Sequence, residues 1–179
     1  MKHLKEFTIP FVGLKAGKHL FDFEIDNTFL HFFEYDDFNN ARVKVDLLLE
    51  KKSTFLELNF KAQGLVNLNC DVTNEPFNQE IENEFDLVVN FGEEFNDENI
   101  DILILPHGEY EIDIKQYVYE LIVLALPTKR VHPGIEDGSL KSEILIKLEE
   151  LSPKLKDIKE EEESTDPRWD SLKKLLTDK

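Results

Sequence analysis

The residues that could perform chemistry in this chain are few and widely separated. The five histidines are His3, His19, His31, His107 and His132, and no two of them have the spacing of a metal-binding pair. The single cysteine, Cys70, excludes an internal disulfide and a four-cysteine zinc site. The chain contains neither a glycine-rich phosphate loop nor a GxSxG nucleophile elbow. The sequence therefore predicts a protein that is not an enzyme and that has no metal or other cofactor.

Carboxylates are the most abundant potential catalytic groups, but their spacing is not informative. Pairs such as Glu93/Glu94 and Asp97/Glu98 are expected by chance in a chain with 38 acidic residues. The region lacks the alternating oxygen ligands and the glycine that a calcium loop requires. A solvated surface explains these residues best. A metal-dependent nuclease is the least favoured alternative, because it has no recognisable ligand spacing.

Cationic side chains form three groups along the sequence. These are Lys129, Arg130 and His132, then Lys2, Lys5, Lys15 and Lys18, and finally Arg168, Lys173 and Lys174 on the last predicted helix. If the first two groups meet in space, they would form a phosphate-binding patch on which neighbouring aromatic rings could stack bases. The competing interpretation is that these are ordinary surface lysines. Direct RNA binding through the Lys129-Arg130-His132 patch is therefore kept as the alternative function.

The overall charge favours protein partners over polyanions. The net charge is −17, and charged residues make up 33 % of the chain. Such a surface repels phosphate backbones, so DNA is not an expected partner and bare RNA is disfavoured. Residues 1–10 have no secretory signal, and the most apolar run, residues 117–126, is half a membrane span. Together with the single cysteine, this predicts a cytoplasmic protein that makes no membrane contact.

The fold class predicted from hydrophobic patterning is α+β, mainly antiparallel β. Apolar and polar residues alternate over 19–25, 41–51, 54–63, 65–72 and 79–91, with Gly64 expected to interrupt the run between two strands. Residues 6–12 are predicted to be extended and 100–105 to be a short strand, and 93–99 and 128–139 are predicted to be loops. Asp26 is predicted to cap a short helix that runs through Phe33. The strands are expected to form a meander or a barrel-like sheet.

One buried helix is predicted to close the sheet. It covers residues 114–126, begins at the capping residue Asp113 and is stopped by Pro127. Its apolar stripe is wide, so we expect burial on most sides. A second helix is predicted over 140–151.

The predicted domain organisation has three parts. These are a single β-rich domain, 1–151, an acidic linker, 152–165, and a short amphipathic carboxy-terminal helix, 166–179. Arg168 and Trp169 on that last helix are residue types that often anchor interfaces, so the helix is a candidate docking element. The competing interpretation is that it folds back onto its own domain.

Three groups of residues carry a resemblance to a known family. The first is Cys70-Asp71 followed by Glu75-Pro76. The second is Asp113, Glu120 and Leu124-Ala125-Leu126-Pro127. The third is Asp166-Pro167-Arg168-Trp169 followed by Leu172. In order and spacing they resemble the motifs of the YceD family over roughly residues 60–176.

The resemblance implies a role in the accumulation of large-subunit ribosomal RNA. The partner it implies is a ribosomal protein or an rRNA-processing factor, with precursor ribosomal RNA as a second candidate. Many relatives carry a cysteine three positions after the first and a cysteine cluster after the Leu-Pro helix. Thr73 occupies the first of those places, and residues 129–134 contain no cysteine. Any metal site suggested by those relatives is therefore expected to be absent. The leading function hypothesis is a non-catalytic accessory factor that acts by binding protein.

Overall fold

The computed structural model describes residues 3–152 of the chain. A 3₁₀ helix covers His3–Phe7. The strands are β1 (Thr8–Ile9), β2 (Gly17–Ile25), β3 (Asn40–Lys51), β4 (Phe55–Asn69), β5 (Pro76–Gly92), β6 (Asn96–Asn99), β7 (Ile102–Pro106) and β8 (Ile112–Asp113). The helices are α1 (Asn27–Phe32), α2 (Lys115–Leu124), α3 (Pro133–Glu136) and α4 (Glu143–Leu151).

The main sheet is open rather than closed into a barrel. Its six strands lie in the order β2-β3-β4-β5-β7-β6, so β2 and β6 are its edges. The pairs from β2 to β5 are antiparallel, as predicted, but β5 and β7 are parallel. The parallel pair arises because β6 follows β5 in the chain but lies outside β7 in the sheet. The barrel-like alternative is therefore wrong, and the mainly antiparallel α+β class is confirmed.

Strict alternation of apolar and polar residues explains the long strands. In β3, Val43, Val45, Leu47 and Leu49 are each at most 2 % exposed, and the residues between them face the other side of the sheet. Successive side chains of a strand point to opposite faces, so this pattern buries one face and solvates the other. Each such buried side chain contributes about 1.5–3 kcal/mol to folding. The predicted faces of β3, β4 and β5 are confirmed.

Gly64 does not interrupt a strand, contrary to the prediction. It lies inside the continuous strand β4, opposite Val43 of β3. A Cβ atom placed on Gly64 would lie 2.6 Å from the Cα atom of Val43 and would also clash with the carbonyl oxygen of Arg42. The glycine is therefore explained by the close approach of two backbones and not by a turn.

Three short segments also differ from the prediction. Residues 6–12 were expected to be extended, but they contain the end of the 3₁₀ helix and only the two-residue strand β1. The predicted loop 93–99 contains strand β6, and the predicted loop 128–139 contains helix α3. Strand β6 is held by backbone pairing with β7 and has no apolar alternation, which is why its sequence did not predict a strand.

Helix α2 presents one face to the sheet. Val118, Leu121 and Ile122 are buried, whereas Leu124 is 76 % exposed, so the predicted burial on most sides does not extend to Leu124. The helix begins one residue later than predicted, at Lys115, so its N-cap is Ile114 and not the predicted Asp113. The Asp113 side chain, one residue before the cap, accepts a hydrogen bond of 3.0 Å from the Lys115 N–H. In α1, the Asp26 side chain accepts from the N–H groups of Thr28 and Phe29, which confirms the predicted cap.

The chain divides into two compact units between Lys141 and Ser142. Of the second unit the structure describes residues 142–152, which include α4 with its exposed Ile144, Ile146, Leu148 and Leu151. The predicted linker 152–165 and the predicted helix 166–179 lie outside the described residues, apart from Ser152, and stay predictions. None of the helices in the described part of the chain is long and apolar enough to cross a membrane.

Candidate functional site

The turn between β4 and β5 is joined to the segment that follows α2. We call residues 70–75 and 129–134 together the tip junction. The Asp71 N–H donates to the Arg130 carbonyl oxygen at 2.8 Å, and the Arg130 N–H donates to Asp71 Oδ2 at 2.8 Å. The His132 N–H donates to Cys70 Sγ at 3.3 Å. The tip of the longest hairpin in the sheet is thereby tied to a segment about sixty residues later in the chain.

Cys70 lies at the centre of the tip junction and is only 2 % exposed. Burial raises the pKa of the Cys70 thiol, but hydrogen bonds from the Thr73 side chain and the His132 N–H outweigh burial, so the pKa is lowered. The loop is tightened by hydrogen bonds from the Cys70 N–H to Glu75 and from the Asn74 N–H to Cys70. Cys70 therefore has the surroundings of a structural residue that packs at a strand end.

The side chain of Arg130 forms an ion pair with an acidic residue of the same chain. Its guanidinium donates to Asp37 Oδ2 at 3.1 Å, and the Tyr35 hydroxyl donates to the same oxygen at 3.3 Å. Burial is the largest single effect and lowers the pKa of Arg130, but the hydrogen bonds and charges of Asp37 and Tyr35 together outweigh it, so the net pKa is raised. Burial, followed by the charge of Asp37, raises the pKa of Tyr35. The Arg130 cation is thus paired with a carboxylate of the same chain, and a phosphate group would have to compete with Asp37 for it.

His132 has a structural contact at one of its ring nitrogens. Nδ1 accepts a hydrogen bond of 2.9 Å from the Gly134 N–H at the start of α3, which places the proton of the neutral ring on Nε2. The ring packs edge-on against Phe77, with centroids 5.7 Å apart. Lys129 is exposed. Of the three predicted cationic residues, only Lys129 is left as a solvated cation.

Lys18 of one cationic group and Arg130 of the other lie far apart in the sheet. Lys18 pairs with Glu50 near the end of β3, whereas Arg130 contacts Asp37, just before β3 begins at Asn40. Ten residues of strand separate Glu50 from Asn40, which is about 30 Å at 3.3 Å per residue. The combined phosphate-binding patch is therefore not formed by Lys18 and Arg130. Lys2 lies outside the described residues.

The family-motif residues that the structure describes fall into two places. The tip junction and the adjoining start of β5 hold Cys70, Asp71, Glu75 and Pro76. Asp113 and Glu120 are exposed residues on and beside α2, and Pro127 follows that helix. Asp166, Pro167, Arg168 and Trp169 lie outside the described residues. The structure therefore brings the first group together with the segment after Pro127, and places Asp113 and Glu120 at a second site.

That second site is a groove which the sequence analysis did not identify. Its volume is about 990 Å³, and its lining comes from β5, the β6–β7 hairpin, α2 and the end of α1. The apolar part of its lining is Phe32, Phe33, Phe85, Phe95, Ile100, Leu103, Leu105, Pro106, Ile112, Tyr117, Leu121 and Leu124. We call it the α2 groove. It is at the upper end of the size range for small-molecule pockets.

Several apolar side chains around the α2 groove are unusually exposed. Ile100 is 80 % exposed, Leu124 is 76 % exposed and Phe95 is 57 % exposed. Deeper in the groove, the rings of Phe85 and Tyr117 stack with centroids 6.2 Å apart and an interplanar angle of 14°. Single exposed hydrophobic residues are common, but several around one concave surface mark an interaction site.

The polar lining of the α2 groove is strongly acidic. Its carboxylates are Glu84, Asp97, Glu109, Glu111, Asp113 and Glu120. The single lysine or arginine in the lining is Lys115, whose Nζ is 2.7 Å from Asp113 Oδ2. Burial, then the charges of Asp97 and Glu120, raise the pKa of Tyr117. The interior of the groove therefore lies in a negative electrostatic field.

Sequence reasoning missed this groove because its parts come from distant segments. The sequence prediction places Asp97 in an acidic loop, Ile100 at the start of a short strand and Leu124 in the buried stripe of the helix. The available signal was the width of that stripe, which exceeds what one buried helix face needs.

The tip junction does not offer a ligand set for a metal. Cys70 supplies one sulfur atom, Thr73 supplies a hydroxyl, and His132 Nδ1 already accepts from Gly134. Within residues 3–152, no group of three or more His, Cys, Asp or Glu side chains could hold a metal ion. The donors present therefore do not fit a zinc site of the kind that cysteine-rich relatives suggest.

The fold defines an open α+β protein with an acidic groove that has an apolar floor. The chain belongs to the YceD family: the family model "Large ribosomal RNA subunit accumulation protein YceD" matches residues 58–176. The family description links the chain to the accumulation of large-subunit ribosomal RNA. No curated protein and no solved structure shows significant similarity to it.

Proposed function

We propose that this protein is a non-catalytic accessory factor for large-subunit ribosomal RNA, and that it acts by binding a basic protein. The family description supplies the process. The partner class rests on one observation, the pairing of Arg130 with Asp37. That pairing neutralises the best candidate phosphate ligand in a chain of net charge −17.

The solvated face of the sheet supports the same partner class. On β5 it carries Glu80, Glu82, Glu84 and Asp86 in succession on one side of the strand. Lys61 bridges Glu82 and Glu84 at 3.2 and 2.6 Å, so this lysine is also paired with carboxylates. A surface of this kind attracts cationic proteins and increases their association rate. Ribosomal proteins and rRNA-processing factors with basic segments are the candidates.

Direct binding of precursor ribosomal RNA is the second candidate. The observation that favours it is the exposure of Lys129. Lys129 is an exposed cation beside the tip junction. One unpaired lysine releases few counterions, so we expect RNA affinity to be low and to depend only weakly on salt concentration. An enzymatic role, such as a metal-dependent nuclease, has no supporting ligand set among residues 3–152.

Co-purification tests the proposal. The full chain is purified from cells at its native expression level, and the bound protein and RNA are identified after treatment with and without ribonuclease. Basic large-subunit proteins or processing factors that persist after ribonuclease treatment support protein binding. Partners that are all lost on ribonuclease treatment would contradict it.

Two further measurements separate the alternatives. Titration of precursor ribosomal RNA at several salt concentrations should give no specific complex at physiological ionic strength. Tight binding with a steep salt dependence would favour the RNA alternative. Incubation of the protein with divalent cations and RNA should leave the RNA intact. Cleavage that disappears on chelation would favour the nuclease.

A further inference from the structure

The α2 groove combines two properties that select a particular kind of ligand. Its floor is apolar and aromatic, so it favours a ligand with buried hydrophobic side chains. Its rim holds six carboxylates and one lysine, so it favours cations around that hydrophobic part. A purely apolar ligand would leave the rim charges without partners, and a purely cationic ligand would leave the floor exposed to water.

The rim carboxylates are largely unpaired within the protein. Of the six, Asp113 is paired with Lys115 and Glu84 with Lys61. The other four, Asp97, Glu109, Glu111 and Glu120, have no ion pair with any residue in 3–152. Glu120 accepts a hydrogen bond of 2.6 Å from the neutral Gln116 side chain on the same helix. All four carboxylates therefore lack a cationic partner in the described part of the chain, and an external cation can pair with them.

The position of Tyr117 links the two properties of the groove. Its ring stacks on Phe85, while the charges of Asp97 and Glu120 act on its hydroxyl from the β6 side and from α2. Both carboxylates therefore lie near the apolar floor, and a lysine or arginine beside a bound hydrophobic side chain would meet them. Electrostatic complementarity of this kind favours one partner charge and rejects the other.

We propose that the α2 groove binds a basic amphipathic segment of a partner protein, with its apolar side chains on Phe85, Tyr117 and Leu124 and its lysines or arginines on Asp97 and Glu120. This proposal rests on the proposed function and names the site and the ligand chemistry through which it would act. Helix-in-groove recognition uses the same arrangement of apolar anchors and flanking charges.

The test uses a fluorescent peptide in which leucines occupy one helical face and lysines the other. Two comparison peptides keep the same pattern, one with glutamates in place of lysines and one with serines in place of leucines. We expect the leucine–lysine peptide to bind the full chain in an anisotropy titration, and to bind more weakly as salt screens the rim charges. The two comparison peptides should bind at least about tenfold more weakly, which corresponds to a loss of about 1.4 kcal/mol of binding free energy.

Matched variants locate the binding site. Ile100→Ser with Leu124→Ser removes exposed apolar contacts of the groove, and Leu20→Ser is the control because Leu20 is equally exposed, at 80 %, on the outer face of β2. Asp97→Asn with Glu120→Gln removes rim charge, and Asp22→Asn with Glu24→Gln is the control on β2. Each groove pair should weaken binding about tenfold, and each control should change it less than about twofold.

Three outcomes would overturn the groove proposal. Equal losses in groove and control variants would mean general attraction to an acidic surface. Equal binding of the leucine–glutamate peptide would mean that charge does not select the ligand. Self-association that is abolished by Leu124→Ser, measured by sedimentation, would mean that a second copy of this chain occupies the groove. Unchanged unfolding midpoints show that every variant is folded.

The groove proposal and the proposed function fail in different ways. If a groove variant loses peptide binding but fully restores large-subunit ribosomal RNA in cells that lack the protein, the groove proposal is overturned and the function stands. If loss of the whole protein leaves that RNA unchanged, the proposed function is overturned whatever the peptide does.

Discussion

Asp71 and Arg130 exchange two hydrogen bonds although 59 positions separate them in the chain. In one, the Asp71 backbone donates to the Arg130 carbonyl oxygen. In the other, the Asp71 carboxylate accepts from the Arg130 backbone. The side chain of Arg130 is then directed to Asp37. These two residues therefore fix the hairpin tip, the segment after α2 and the loop before β3 relative to one another.

Replacement of Asp71 by Ala should destabilise the protein. The change removes the acceptor of the Arg130 N–H, and an exposed charge-assisted hydrogen bond of this kind contributes about 1 kcal/mol. The measurement is the free energy of unfolding in urea. Glu93→Ala is the control, since Glu93 is an exposed carboxylate in the β5–β6 turn. Equal stability of the two variants would mean that the hydrogen bond between Asp71 and Arg130 contributes nothing to the free energy of unfolding.

Replacement of Gly64 by Ala should lower the free energy of unfolding by more, about 2–3 kcal/mol, because the added methyl group meets the backbone of β3 at Arg42 and Val43. Neither of these backbone atoms can move without disturbing the pairing of β3 with β4. Gly13→Ala is the control, because a Cβ atom there has no neighbour within 4 Å. The thermal unfolding midpoints of both variants are the measurement. A neutral Gly64→Ala would contradict the close approach of β3 and β4.

Lys51 should be important for the stability of the loop between β1 and β2. Its Nζ donates to the carbonyl oxygens of Phe11 at 2.8 Å, Leu14 at 2.9 Å and Val12 at 3.3 Å. Lys51→Met keeps the aliphatic chain but removes these donors, and should cost about 1–2 kcal/mol.

The control for Lys51 is another lysine at the same end of the sheet. Lys18→Met should change the free energy of unfolding by less than about 0.5 kcal/mol, because Lys18 is 66 % exposed and its nearest carboxylate oxygen is 3.9 Å away. Hydrogen exchange of the backbone amides in 11–16 gives a local measurement. Unaltered exchange in Lys51→Met would contradict the anchoring role.

Cys70 should give the stability of the protein a component that depends on pH. Its native pKa is below its ordinary value of 9.0, so the native state releases this proton at lower pH than the unfolded state does. The stabilisation is therefore fully present above pH 9 and is lost as the pH falls through the native pKa. We expect the stability of the wild type relative to Cys70→Ser to increase with pH up to about 9 and then level off.

A second variant shows whether hydrogen bonding causes this effect. Thr73→Val removes the hydroxyl that bonds to Cys70, so it should raise the pKa of Cys70 and flatten the pH dependence. Urea unfolding of each variant across this pH range is the measurement. A stability difference that does not vary with pH would contradict a lowered thiol pKa.

The long strands could be predicted because their determinant is local. Val43 to Leu49 in β3 and Leu56 to Phe60 in β4 alternate with polar residues, and each strand buries one face of its own sequence. The cap at Asp26 was also predictable, because its side chain accepts from the N–H groups of Thr28 and Phe29, which are only two and three residues later.

What could not be predicted depends on residues that are distant in the chain. The parallel pairing of β5 with β7 depends on β6 lying outside β7 in the sheet, and Asn96 to Asn99 contain no apolar pattern. The partner of Arg130 is Asp37, 93 positions away. No local pattern in the sequence indicates that the charge of Arg130 is paired and not open to a phosphate group. The α2 groove needs Asp97, Ile100 and Leu124 together, and no spacing in the sequence places them so.

The hairpin of β4 and β5 is complete in sequence at Gly92, but the residues that fasten its turn are not made until Arg130 and His132. Chains emerge from the ribosome with their amino end first and fold as they appear. A nascent chain that ends before residue 130 thus has both strands of the hairpin but lacks the hydrogen bonds that hold its turn. Cys70 and Asp71 are therefore fixed only after the segment that contains Arg130 and His132 has been made.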